Sequence, residues 1–126
     1  MNPRILVVDD EPAVLLFTST VLGRANFDVA TAASAEEALE RMEREAFDLI
    51  VTDFRMRGES GEAVVLSARG RNPENRVIMM TGWAHELPEW VKAGPAAVRI
   101  ITKPFSIADL RRAVSEALEA APLAPA

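Results

Sequence analysis

The chain contains no cysteine and no tyrosine, and it has a single histidine, His85. Disulfides, thiolate nucleophiles and cysteine-based zinc or iron–sulfur centres are excluded together, and one imidazole cannot build a nitrogen-rich metal cluster. A bound metal would have to take oxygen ligands. No apolar run approaches the ~20 residues needed to cross a bilayer, and Met1-Asn2-Pro3-Arg4 leads into a strand without the longer apolar stretch of a signal peptide. The expected location is the cytoplasm, with no membrane partner. Positive charge is also scarce: 14 basic against 19 acidic side chains give a net charge of −5. The chain thus has no general attraction for a phosphate backbone, and direct nucleic-acid binding is not expected.

What remains is an ordinary globular composition, 49% hydrophobic and 26% charged over 126 residues, enough for one domain around one core. Four apolar, largely β-branched runs stop at a polar residue: Ile5 to Val8 at Asp9-Asp10, Leu49 to Thr52 at Asp53, Val77 to Met80 at Thr81, and Arg99 to Thr102 at Lys103-Pro104. Runs of this kind read as strands buried on both faces. Asp28 to Ala32 makes a further, shorter strand that ends in Ala32-Ala33 and suits a sheet edge.

Amphipathic stretches alternate with these strands. Pro12 opens a helix in which Val14, Phe17, Thr18, Val21 and Leu22 face inward until Gly23. Ser34 with Glu37 is a capping box, followed by an inward face of Ala35, Ala38, Leu39, Met42 and Ala46, with Asp48 closing the connection. After the loop Phe54 to Gly61, a helix over Glu62 to Arg71 points Ala63, Val64, Leu66 and Ala68 inward and stops at Asn72-Pro73. Pro88, Gly94 and Pro95 predict a short or distorted fourth helix. Ser106 and Asp109 cap a last helix with Ile107, Leu110, Val114, Ala117 and Leu118 on its apolar face. The domain is expected over residues 1–119, and 120–126, alanine and proline with one leucine, reads as a tail or the start of a linker.

Strands alternating with helices imply an α/β fold with a parallel sheet covered on both faces. In the doubly wound order 2-1-3-4-5 the ligand crevice lies at the switch between the first and third strands, which brings Asp9, Asp10 and Asp53 together. Two carboxylates about 4 Å apart repel by about 4 kcal/mol at an effective dielectric of about 20. A cation must relieve this, and Mg²⁺, which favours one or two carboxylates with waters and a phosphate oxygen, is the natural candidate. Asp53 is then the best nucleophile for a phosphorus centre, with Thr81 and Lys103 as donors to the transferred group. Each residue by itself has a bland reading, such as a helix cap, a turn or a strand end; the joint order of all of them carries the assignment.

Asp9-Asp10-Glu11, Asp53 with Met56 and Gly61, Thr81-Gly82 and Lys103-Pro104-Phe105 resemble the receiver domain of two-component response regulators, over essentially residues 4 to 119. The resemblance implies a flavodoxin-like doubly wound five-stranded sheet and a phosphorylation-controlled switch. In it Asp53 accepts a phosphoryl group from a histidine kinase or phosphotransfer protein. It further implies that Asp10, Asp53 and the backbone carbonyl of Arg55 bind Mg²⁺, that Asp9 acts largely through water, and that the Lys103-Pro104 bond is cis. A downstream effector is expected on the face from the fourth to the fifth helix, and a homodimer is allowed. Such a domain catalyses its own phosphotransfer and dephosphorylation without turning over an external substrate.

Several positions depart from the family pattern. Arg57 stands where proline is usual, and Glu59 where an apolar residue is common, so a more mobile loop is expected after Asp53. Arg55 and Trp83 are expected at the crevice rim, tuning the phosphoryl lifetime, and Trp83 and Trp90 are candidate partner anchors as well as candidate packing residues. Ile100 replaces the usual tyrosine or phenylalanine. Moving an equilibrium from 1:99 to 99:1 takes about 5.5 kcal/mol, while hydrogen bonds to a charged group supply about 1.5–3 kcal/mol each. Two new bonds to a phosphoryl group suffice narrowly, but the aromatic route is not carried over. Two alternatives stand beside the switch: a receiver-like interaction module that works without phosphorylation, and a Mg²⁺-dependent aspartyl-phosphate phosphohydrolase. The second usually keeps an aspartate two residues after the nucleophile, where this chain has Arg55.

Overall fold

The computed structural model describes residues 2–57, 59–72, 75–83, 85, 87–92 and 98–119. Five parallel strands form the central sheet: β1 (Arg4–Val8), β2 (Asp28–Ala32), β3 (Leu49–Asp53), β6 (Arg76–Thr81) and β7 (Arg99–Thr102). A two-stranded antiparallel hairpin, β4 (Arg55–Met56) and β5 (Glu59–Ser60), follows β3. The order β2-β1-β3-β6-β7 is 2-1-3-4-5 when the five long strands are counted in sequence, as expected, with β2 at the edge. The helices are α1 (Pro12–Arg24), α2 (Ala35–Arg44), α3 (Gly61–Arg71), α4 (Glu89–Lys92) and α5 (Ile107–Glu119).

The alternation of side chains along each strand divides the core into two layers. Leu6, Val8, Ile50 and Met79 pack with Ala38 of α2 and Val64 of α3 on one face. Ile5, Val7, Val51 and Met80 pack with Leu22 of α1 and Leu110 of α5 on the other. All five β3 residues are buried, which explains the absence of a polar alternation in its sequence. Burying an aliphatic side chain of this size contributes roughly 1.5–3 kcal/mol, so the central strands anchor the fold.

Local signals hold at most helix ends. Pro12 occupies the first turn of α1, and Asn26, at φ 71°, takes the left-handed conformation that follows many helix ends. Ser34 Oγ accepts the Glu37 N–H at 3.0 Å, while the Glu37 carboxylate accepts the N–H of Ala33, one residue before the position an ideal capping box would use. Ser106 and Asp109 cap α5 reciprocally. Asp48 closes the entry to β3 by accepting the Arg4 N–H at 2.7 Å.

The inward faces of three helices and the bounds of three differ from expectation, α1 continuing through Gly23 to Arg24. In α3 the buried set is Gly61, Val64, Val65 and Ala68, a regular i, i+3, i+4, i+7 stripe, whereas Ala63 and Leu66 are exposed. The helix also begins one residue early, because Ser60 caps it through the Glu62 N–H. Phe17 and Ile107 lie on the outside of the α1/α5 pair, and Phe17 rests on Phe105 with ring centroids 6.1 Å apart. Ala46 falls beyond the end of α2 and is exposed. The segment Phe54 to Gly61, read as a loop, contains the β4–β5 hairpin. The fourth helix begins directly after Pro88, and its described part is Glu89–Lys92. Pro73, Gly94, Pro95 and the 120–126 tail lie outside the described residues.

Candidate functional site

Parallel pairing aligns the carboxyl ends of the central strands, so the polar residue that stops each strand arrives at one crevice. Val8 of β1 is in register with Thr52 of β3, and Asp53 with Met80 of β6. Thr81 pairs with Thr102 of β7, and the Lys103 N–H donates to the Thr81 carbonyl at 2.8 Å. Asp9, Asp10 and Asp53 then present carboxylate oxygens that all lie within 4.8 Å of one another. Asp9 is fully buried and Asp53 is 7% exposed.

Lys103 is the internal counter-charge. Its Nζ donates to Asp9 Oδ2 at 3.0 Å and lies 3.1 Å from Asp53 Oδ1, and the Lys103-Pro104 bond is cis, as expected. Burial works to lower the Lys103 pKa, but the hydrogen bond to Asp9 and the charges of Asp53 and Asp9 outweigh it, so the net shift is upward and the ammonium stays charged. Burial is also the main cause that pushes the Asp53 carboxyl from 3.8 up to about 6. The Asp9 charge adds to this rise, and Lys103 opposes it. One ammonium among three carboxylates leaves a surplus of negative charge, and hard oxygen donors at this spacing fit a small divalent cation.

The remaining contacts fix each carboxylate. Asp9 Oδ1 accepts the Glu11 N–H at 2.9 Å. Asp10 Oδ2 accepts the Arg57 main-chain N–H, also at 2.9 Å. The buried Thr52 hydroxyl donates to the Asp53 carbonyl at 3.0 Å. Gly61 packs so tightly under Asp53 that a Cβ there would overlap the Asp53 carbonyl oxygen, and its N–H donates to the Phe54 carbonyl at 2.7 Å.

Of the residues singled out in the sequence, the structure gathers Asp9, Asp10, Asp53 and Lys103, and it joins Thr81 to Lys103 through the backbone. Thr81 is buried, and its Oγ1 accepts the Trp83 N–H at 3.0 Å. Met56, on β4, is buried in the core layer that holds Val8 and Val64, Arg55 is exposed on β4, and Pro104 is exposed beyond β7. Trp83 is 63% exposed, with its ring edge-on to His85 at 6.0 Å. Trp90 instead packs against the core and donates to Glu62 at 3.3 Å, which makes it a packing residue between α4 and α3. Ile100 is half-buried against the same core layer. The Arg57 N–H and the Thr52 hydroxyl were not anticipated; the signal for the former was the non-proline residue at 57, which keeps a donor.

Comparison with known proteins agrees with this geometry. A family profile described as the response regulator receiver domain matches residues 5–115. The response regulator protein PilR of Pseudomonas aeruginosa is 36% identical over 117 residues, 91% of this chain, although the chain spans only 26% of PilR. The CheY-like receiver domain protein of Methanospirillum hungatei superposes with a TM-score of 0.86 at 31% identity, covering 94% of this chain and 95% of that one. The response regulator TrrA of Thermotoga maritima, solved in complex with Mg(2+)-BeF, superposes with a TM-score of 0.80 at 30% identity, covering 94% of this chain and all of that one. A five-stranded sheet in the expected order, an acidic crevice opposed by Lys103 and a profile match over nearly the whole length together place the chain in the response regulator receiver domain family.

Proposed function

We propose that Asp53 is the phosphoacceptor of this receiver domain and that Asp10 and Asp53, with the Arg55 carbonyl, hold Mg²⁺ beside it. The observation that carries this reading is the convergence of Asp9, Asp10 and Asp53 within 4.8 Å, with Lys103 in contact with two of them. When bound, the cation supplies charge neutralisation to the carboxylates and to the oxygens of the incoming phosphoryl group.

Asp53 sits at the end of a fully buried strand, so its carboxylate is positioned by the backbone rather than by a flexible loop. A carboxylate oxygen attacks phosphorus, forming an O–P bond to an acyl phosphate. The P–N bond to a donor phosphohistidine breaks, and its electron pair leaves with the imidazole. The Lys103 ammonium, already aimed at Asp53, donates to the phosphoryl oxygens where charge accumulates. The Thr81 hydroxyl, on the neighbouring strand end, is the second donor and carries the change outward, since the same oxygen accepts the main-chain N–H of Trp83. With Ile100 in place of an aromatic ring, this Thr81–Trp83 link is the route we assign to the signal.

The donor is a histidine kinase or phosphotransfer protein, and any effector contacts the surface from α4 to α5. The direct test is incubation with a small-molecule phosphodonor and Mg²⁺, followed by intact mass. The wild type gains one phosphoryl group and Asp53→Asn gains none. An equal, stable gain in both would move the acceptor elsewhere.

A further inference from the structure

The three clustered carboxylates are held in different ways. Asp9 is fixed by the Lys103 ammonium and the Glu11 N–H, and Asp53 by its place on β3 and by Lys103. Asp10 lies past the end of β1, half-buried, and its Oδ2 accepts the main-chain N–H of Arg57, which is 47 positions away in sequence. Arg57 directly follows β4, whose residues Arg55 and Met56 pair with Ser60 and Glu59. The N–H therefore belongs to the turn residue that directly follows a paired strand.

We propose that the Arg57 main-chain N–H is a positioning donor for the divalent-cation site, holding the Asp10 carboxylate toward Asp53 before the cation arrives. The proposal rests on the reading of the acidic crevice as a Mg²⁺ site. An ionised carboxylate offers about four lone-pair positions, so one N–H leaves Asp10 free to ligate while restricting its rotamers. Hydrogen bonds to a ligating carboxylate from outside the metal's own shell typically change metal affinity about 10- to 100-fold. The donor belongs to the backbone, so any residue at position 57 keeps it except proline. Met56 is already extended in β4, the conformation that a residue before proline requires, so proline can be introduced without forcing its neighbour.

The experiment is a calorimetric titration of the whole chain with MgCl₂ in cation-free, phosphate-free buffer, using wild type, Arg57→Ala, Arg57→Pro and Asp10→Ala. Arg57→Pro is expected to bind roughly tenfold more weakly, and Arg57→Ala, which restores the N–H without the guanidinium, to recover wild-type affinity. An unchanged affinity in Arg57→Pro overturns the proposal, and so does an equal loss in Arg57→Ala, which would assign the effect to the side chain. If Asp10→Ala binds as the wild type does, the metal-site reading itself fails, and the positioning role with it. Should Arg57→Pro not fold, amide hydrogen exchange of Arg57 in the wild type and in Asp10→Ala decides: protection that depends on Asp10 supports the bond, and equal exchange in both overturns it.

Discussion

Gly61 lies directly beneath the carbonyl of Asp53, leaving no room for a Cβ. The obstructing atom is backbone at the end of the central strand, so it cannot move aside as a flexible side chain would. Gly61→Ala should destabilise the fold by about 1–3 kcal/mol, the usual cost of overpacking, and should also disturb Asp53, the proposed acceptor. Thermal melts and the intact-mass assay check this together. A melting temperature and phosphoryl uptake equal to wild type would show that α3 can slide away from β3.

The pH response follows from burial of Asp53. Its carboxyl is pushed from 3.8 to about 6 chiefly by desolvation, so the folded chain holds this proton where the unfolded chain has already released it. Stability then falls as pH rises between those two values, because the unfolded state binds fewer protons. In chelator-treated buffer, the stability of wild type minus that of Asp53→Asn should decline across that window. Saturating Mg²⁺, which requires the ionised carboxylate, should abolish the decline. A difference independent of pH without cation contradicts the buried-acid reading.

Lys103 supplies charge to the same carboxylates that a divalent cation would neutralise. Lys103→Ala should slow phosphoryl uptake by roughly 10²-fold, the loss typical of removing one positioned donor. It should also make the melting temperature rise more on Mg²⁺ addition than it does in wild type, since the repulsion is then relieved by the ion alone. Uptake within a few-fold of wild type would remove Lys103 from the donor role.

Trp83 donates its main-chain N–H to the Thr81 hydroxyl oxygen, whereas the Trp90 indole N–H donates to Glu62. In Trp90→Phe, emission therefore reports Trp83 alone. Adding Mg²⁺ with a beryllofluoride phosphoryl mimic should change that emission, and Thr81→Ala should suppress the change. A spectrum indifferent to the mimic would separate the ring from the switch.

The strand ends were legible because parallel strands covered on both faces must be apolar throughout, so the first polar residue after each run marks where the chain leaves the sheet. Asp9, Asp53, Thr81 and Lys103 were found by that rule; β2 and β7 begin and end where the runs do, and β3 continues one residue further, through Asp53. Helix faces were less legible. Leu66, Phe17 and Ile107 are apolar residues at helical spacing, yet all three are exposed, because burial depends on how each helix sits across the sheet as well as on its own periodicity.

By itself the amino-acid order determined the fold class, the positions of the central strands and the chemical character of the crevice, since each follows from short-range patterning and from the residue type at a strand's end. Only the tertiary structure decided how the carboxylates are held. The bond from the Arg57 N–H to Asp10 and the contact of Gly61 with Asp53 join backbone atoms to segments distant in sequence or folded back across a hairpin. Backbone donors and carbonyls are the same at nearly every residue, so their partners are set by where the chain folds and leave no mark in side-chain identity.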